Sequence, residues 1–164
     1  MRRSRALAPA AQSVAGALFL GLIAVLLPVL VSCSGGEEPP DPRVLVLGAD
    51  TIVLPDSIGL VVFEVGRRQD GATRFEPEAA QASPGDVVRF ASLDNGAHAI
   101  AFDAVTLAPD ARAYLEQSGQ LRSPPLLARD AAWVVNLEGA PPGRYPFTCA
   151  THGERGTLTV TARR

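Results

Sequence analysis

The stretch from Gly143 to Val160, Gly-Arg-Tyr-Pro-Phe-Thr-Cys-Ala-Thr-His-Gly-Glu-Arg-Gly-Thr-Leu-Thr-Val, constrains the fold more than any other part of the chain. Its two halves read as adjacent β-strands, and the loop between them holds Cys149 and His152 three residues apart. A thiol and an imidazole therefore share one end of a hairpin. The other histidine of the chain, His98, lies in Asn95-Gly96-Ala97-His98-Ala99-Ile100, at the exit of an earlier strand pattern. Two imidazole nitrogens and one thiolate are what a trigonal copper site needs.

The rest of the chain is organised as strands separated by turn residues. Leu60 to Val65 is a strand stopped by Gly66 and a charged turn through Asp70-Gly71, and Thr73 to Pro77 is a further extended run with Pro77 at an edge or bulge. Ser83-Pro84-Gly85-Asp86 is a turn, because proline presets φ at its second position. Val87 to Phe90, His98 to Phe102 and Ala131 to Leu137 follow as strands. Strands recurring every ten to twelve residues predict an antiparallel sandwich of seven or eight strands. Ala108 to Gln117 is the one helical stretch, with Ala111, Tyr114 and Leu115 at helical spacing and Gly119 as its stop. Two short runs, Val44–Leu47 and Thr51–Leu54, read as a hairpin or a peripheral strand.

Arg2, Arg3 and Arg5, an apolar run from Gly16 to Val31, and then Leu30-Val31-Ser32-Cys33 have the layout of an export signal. Its end resembles a bacterial lipobox, which implies a lipid on Cys33 after cleavage. This reading makes residues 1–32 a lipoprotein signal peptide, 33–59 a tether with an N-terminal strand region, and 60–164 the folded domain. The domain is then expected outside the cytoplasm, anchored by lipid to a bacterial membrane on its periplasmic or cell-surface side; an uncleaved N-terminal anchor is the alternative. Beyond residue 32, twelve of the fifteen arginines remain against seventeen Asp plus Glu, a net of −5, which argues against a nucleic-acid partner. With Cys33 lipidated, Cys149 has no disulfide partner in a compartment that favours disulfides. A lone thiol there is buried and inert, reactive, or held by a metal as thiolate.

Arg74-Phe75-Glu76-Pro77, Pro84-Gly85-Asp86-Val87-Val88-Arg89-Phe90, Ala97-His98 and the whole Gly143–Val160 stretch occur in an order and at spacings similar to those of the plastocyanin and azurin family of cupredoxins. The resemblance covers about residues 60 to 162. It implies an all-β fold, a Greek-key β-sandwich with one short inserted helix, and His98, Cys149 and His152 as the equatorial ligands of one copper ion. It also implies a one-electron carrier cycling between Cu(I) and Cu(II) that exchanges electrons with redox partner proteins; the protein is expected to be a monomer and not an enzyme. Family members place a methionine after the second histidine as a weak axial ligand. Here Met1 is the single methionine, and Gly153-Glu154-Arg155-Gly156 follows the histidine. The Glu154 carboxylate, the Ala97 backbone carbonyl or no group at all takes the axial place, and Glu154 beside Arg155 is equally consistent with an exposed ion pair. Copper capture, storage or delivery without redox turnover is the alternative function. The remaining readings of these residues are a zinc site, a metal-free structural sandwich and a Cys–His nucleophilic pair.

Overall fold

The structure, a computed structural model, describes residues 41–47 and 50–162. The export signal, Cys33 and residues 34–40 lie outside the described residues. In chain order the elements are β1 (Val44–Leu47), β2 (Asp50–Val53), β3 (Leu60–Arg67), β4 (Thr73–Glu76), β5 (Ala79–Ala82), β6 (Val87–Ser92), β7 (Ile100–Phe102), α1 (Pro109–Gln117), β8 (Ala132–Asn136), β9 (Gly143–Cys149) and β10 (Arg155–Val160).

Alternation along the strands decides which residues meet. In β9, Tyr145, Phe147 and Cys149 are buried while the residues between them are more exposed, and β10 buries Gly156, Leu158 and Val160 in the same way. These inner faces build one four-stranded sheet in the order β5-β10-β9-β7. The second sheet runs β4-β3-β6-β8 and turns Phe63, Val65, Phe75, Val88, Phe90 and Val135 toward the first. The Phe147 ring meets Phe63, Phe75 and Phe90 edge-on, with centroids 4.8 to 4.9 Å apart. Such aromatic pairs contribute about 0.5–1.5 kcal/mol each beyond their buried area. Trp133, on β8, stacks on Phe90 at 5.4 Å. Repeated crossing between the sheets makes this a Greek-key β-sandwich.

Two features differ from the sequence expectation. The sandwich is mixed, not purely antiparallel: β3 pairs parallel with β6, and β5 pairs parallel with β10. The chain changes sheet after β4 and again after β5, so β6 returns beside β3 in the same direction. Strand β5 itself has no sequence signal, because Ala79-Ala80-Gln81-Ala82 contains no β-branched or aromatic residue. Its place comes from the exposed edge of β10, to which it adds four paired residues.

β1 and β2 form a separate antiparallel hairpin. Leu45, on β1, and Leu54, just after β2, pack with Val87 against Leu60 and Val134. The helix α1 starts at Pro109, whose missing N–H costs nothing in the first turn, and buries Ala111 and Leu115. Among the described residues no helix is long and apolar enough to cross a membrane.

Candidate metal centre

Strand register brings the three candidate ligands together. β7 runs antiparallel to β9 with Ile100 opposite Cys149, and the Ala150 N–H donates to the Ala99 carbonyl at 2.6 Å. His98 lies two residues before Ile100 and so projects to the same inner side. Leu126 clamps its backbone by a reciprocal pair of hydrogen bonds: His98 N–H to the Leu126 carbonyl at 2.9 Å, and Leu126 N–H to the His98 carbonyl at 2.7 Å. After Cys149 the chain turns tightly. The Cys149 carbonyl accepts the N–H groups of His152 (3.3 Å) and Gly153 (2.7 Å), and Gly153, at φ +88°, sends the chain back into β10.

The donor atoms converge. Cys149 Sγ lies 3.8 Å from His98 Nδ1 and 3.5 Å from His152 Nδ1, and all three donors fall within 4.8 Å of one another. Cys149 and His98 are buried, at 0% and 1% exposure, whereas His152 is exposed. Among the described residues this is the one group of three or more His, Cys, Asp or Glu side chains able to hold a metal.

Asp94 orients the buried imidazole. Its Oδ1 stands 2.9 Å from His98 Nε2 and accepts the Gly96 N–H at 2.7 Å, while its Oδ2 accepts the Arg67 N–H at 2.7 Å. The Arg67 N–H first, then His98 and the Gly96 N–H, lower the Asp94 pKa from 3.8 to about 2 against the opposing effect of burial. An ionised carboxylate only accepts hydrogen bonds, so Nε2 carries the proton and Nδ1 turns its lone pair toward the thiol. Sequence reasoning gave Asp94 no role. The available signal was a carboxylate four residues before a candidate ligand.

The residues present fit one copper ion. A soft thiolate and two imidazoles suit copper, and they suit zinc too, though copper stands above zinc in affinity at such a site. The burial of Cys149 leaves no approach for a substrate carbonyl, which speaks against a nucleophilic Cys–His pair. The Glu154 carboxylate stands outside the three-residue group, and Ala97 is exposed beside His98. No ion pair joins Glu154 to Arg155 among the described residues.

No protein-family model matches the chain, and no curated protein matches its sequence. Solved structures do match. A mutant plastocyanin of fern is 26% identical, is covered over 100% of its length by 62% of this chain, and superposes with a TM-score of 0.50. The chain has a cupredoxin fold. Oxidized plastocyanin from Dryopteris crassirhizoma, also 26% identical with the same coverage, has a TM-score of 0.47. A reduced Cu(I) form of an amicyanin mutant is 20% identical over 63% of this chain and 83% of its own, also at 0.47. In this cupredoxin fold the His98, Cys149 and His152 side chains lie together where β7, β9 and the β9–β10 loop meet.

Proposed function

We propose that this protein is a one-electron carrier with a single copper ion held by His98 Nδ1, Cys149 Sγ and His152 Nδ1. The observation that carries the reading is the convergence of a buried thiol with two imidazole nitrogens, each ring turned so that Nδ1 faces the sulfur. Copper, when bound, supplies the Cu(I)/Cu(II) couple. Cys149 ends β9, and His98 is pinned just before β7 by its backbone hydrogen bonds to Leu126, so their donor atoms move little when the charge at the site changes, and small reorganisation favours electron exchange. Burial of both side chains keeps water from the sulfur. His152, exposed on its loop with Gly153 next to it, offers an edge through which a partner protein comes close. The role is that of a carrier and not an enzyme.

The export layout and Cys33 support an extracytoplasmic, lipid-anchored form working with membrane-side redox proteins. Replacing Cys33 by serine should move the protein from the membrane fraction to the soluble one; unchanged partitioning would remove the lipid anchor from the reading.

Titration of the full chain with Cu(II) tests the copper site. The expected result is one equivalent of copper, an intense thiolate-to-copper band in the red, and loss of that band in Cys149→Ser. A colourless wild-type titration would rule the site out. The lack of any methionine beyond Met1 favours a second reading, copper capture and delivery. A reversible one-electron wave with slow loss of copper to a chelator identifies the carrier, and rapid loss without a wave identifies the delivery protein.

A further inference from the structure

Resting on the copper reading above, we propose that Glu154 supplies a fourth, oxygen donor to the metal. Arg155 pairs with Thr148, Gly156 with Phe147 and Leu158 with Tyr145. Continuing by one residue puts Glu154 opposite Cys149, and the Cys149 N–H donates to the Glu154 carbonyl at 2.8 Å. Residues directly opposite across an antiparallel pair have Cβ atoms about 4.5–5.5 Å apart and project to the same face. The face is the inner one, because Gly156, Leu158 and Val160 are buried and Arg155 is exposed.

A second observation is independent of register. Glu154 Oε2 is buried with no hydrogen-bond partner. Buried carboxylate oxygens are normally paired, since a desolvated charge without a partner is costly. Arg155, the adjacent cation, makes no ion pair with Glu154 among the described residues. A cation held by His98, Cys149 and His152 would satisfy the oxygen. The Glu154 oxygens stand outside that three-residue group, so ligation takes a rotation of the side chain on a backbone held by the Cys149 hydrogen bond. Ala97, the other candidate, belongs to an exposed residue, and no observation of its carbonyl matches the orphaned Glu154 oxygen.

The chemical consequence is a bias in oxidation state. An anionic oxygen is a hard donor and stabilises Cu(II) over Cu(I). The site therefore holds Cu(II) more tightly than a three-donor site would, and its potential is correspondingly lower.

The test uses the full chain, its Glu154→Gln and Glu154→Leu variants, and copper itself as the probe. Chelator competition in both oxidation states should show Cu(II) binding weakened at least tenfold in each variant, with Cu(I) binding changed less than threefold. Each tenfold change in the ratio raises the potential by about 59 mV for a one-electron couple. A copper-independent reading accompanies it: in excess chelator, both variants should be at least as heat-stable as the native chain, because they replace a carboxylate whose Oε2 is buried without a partner. Variants that keep the native Cu(II)/Cu(I) affinity ratio within twofold while retaining the red band would overturn the ligand but leave the copper site intact. A lower melting temperature of Glu154→Gln in chelator would also overturn it, by showing that the carboxylate holds the fold. A native chain with no red band removes the copper reading, and Glu154's role with it.

Discussion

At His98 the hydrogen bond made by one ring nitrogen decides what the other can do. Asp94 takes Nε2, and the chain's own N–H groups at positions 67 and 96 hold Asp94 in place. Replacing Asp94 by asparagine puts an amide nitrogen where one of three donors now points, and removes the charge. Copper affinity should fall by about 10- to 100-fold, the usual effect of losing a partner behind a ligand. Competition titration measures the loss, and circular dichroism should show the fold intact. Tyr145 lies in the same inner face of β9 as Cys149. It is fully buried, and its hydroxyl donates to the Pro141 carbonyl at 2.6 Å. Burial raises its pKa from 10.0 to about 12. The folded state thus keeps a proton that the unfolded state releases, so this contribution to stability is complete below pH 10 and is lost as pH rises toward 12. Tyr145→Phe should lower stability by about 0.5–1.5 kcal/mol near neutrality. Urea midpoints at pH 8 and about pH 11 should also show a smaller alkaline loss in the variant than in the native chain.

The β9–β10 hairpin carries both Cys149 and His152, and its packing depends on a glycine. A Cβ added at Gly156 would overlap the Phe147 ring, and Phe147 touches Phe63, Phe75 and Phe90. Gly156→Ala should therefore cost about 1–3 kcal/mol, the range for overpacking a filled core. It should also disturb the pairing that faces Cys149 with Glu154, so denaturant midpoint and copper affinity should fall together. The elements differ in how readily the sequence betrays them. β9 and β10 show clear alternation and are recognisable from their residues alone. β5 is four residues of alanine and glutamine, defined by the strand beside it. The helix α1 has helical spacing and a glycine stop in agreement, and it forms over Pro109–Gln117, one residue inside the stretch those signals mark.

Over the whole molecule, the candidate ligands join two connections of the sandwich. His98 comes from the passage between the sheets, and Cys149 and His152 come from the β9–β10 end. A metal bound only by the folded arrangement adds its binding free energy to stability. At a free concentration one hundred times its dissociation constant this is about 2.7 kcal/mol, which for a domain of this size raises the melting temperature by roughly 10 °C. Calorimetry with and without Cu(II) should show that rise, and His98→Ala should abolish it. The β class, the inserted helix and the three candidate ligands were legible in the residues alone, because alternation, turn residues and the scarcity of histidine and cysteine are properties of the chain read in order. The folded chain alone reveals that the sandwich is mixed, that Asp94 turns His98 toward the sulfur, and that Glu154 lies opposite Cys149 with an unpaired oxygen. Those facts depend on which strands become neighbours and in what register, and distant segments acquire that relation only when the two sheets close on a common core.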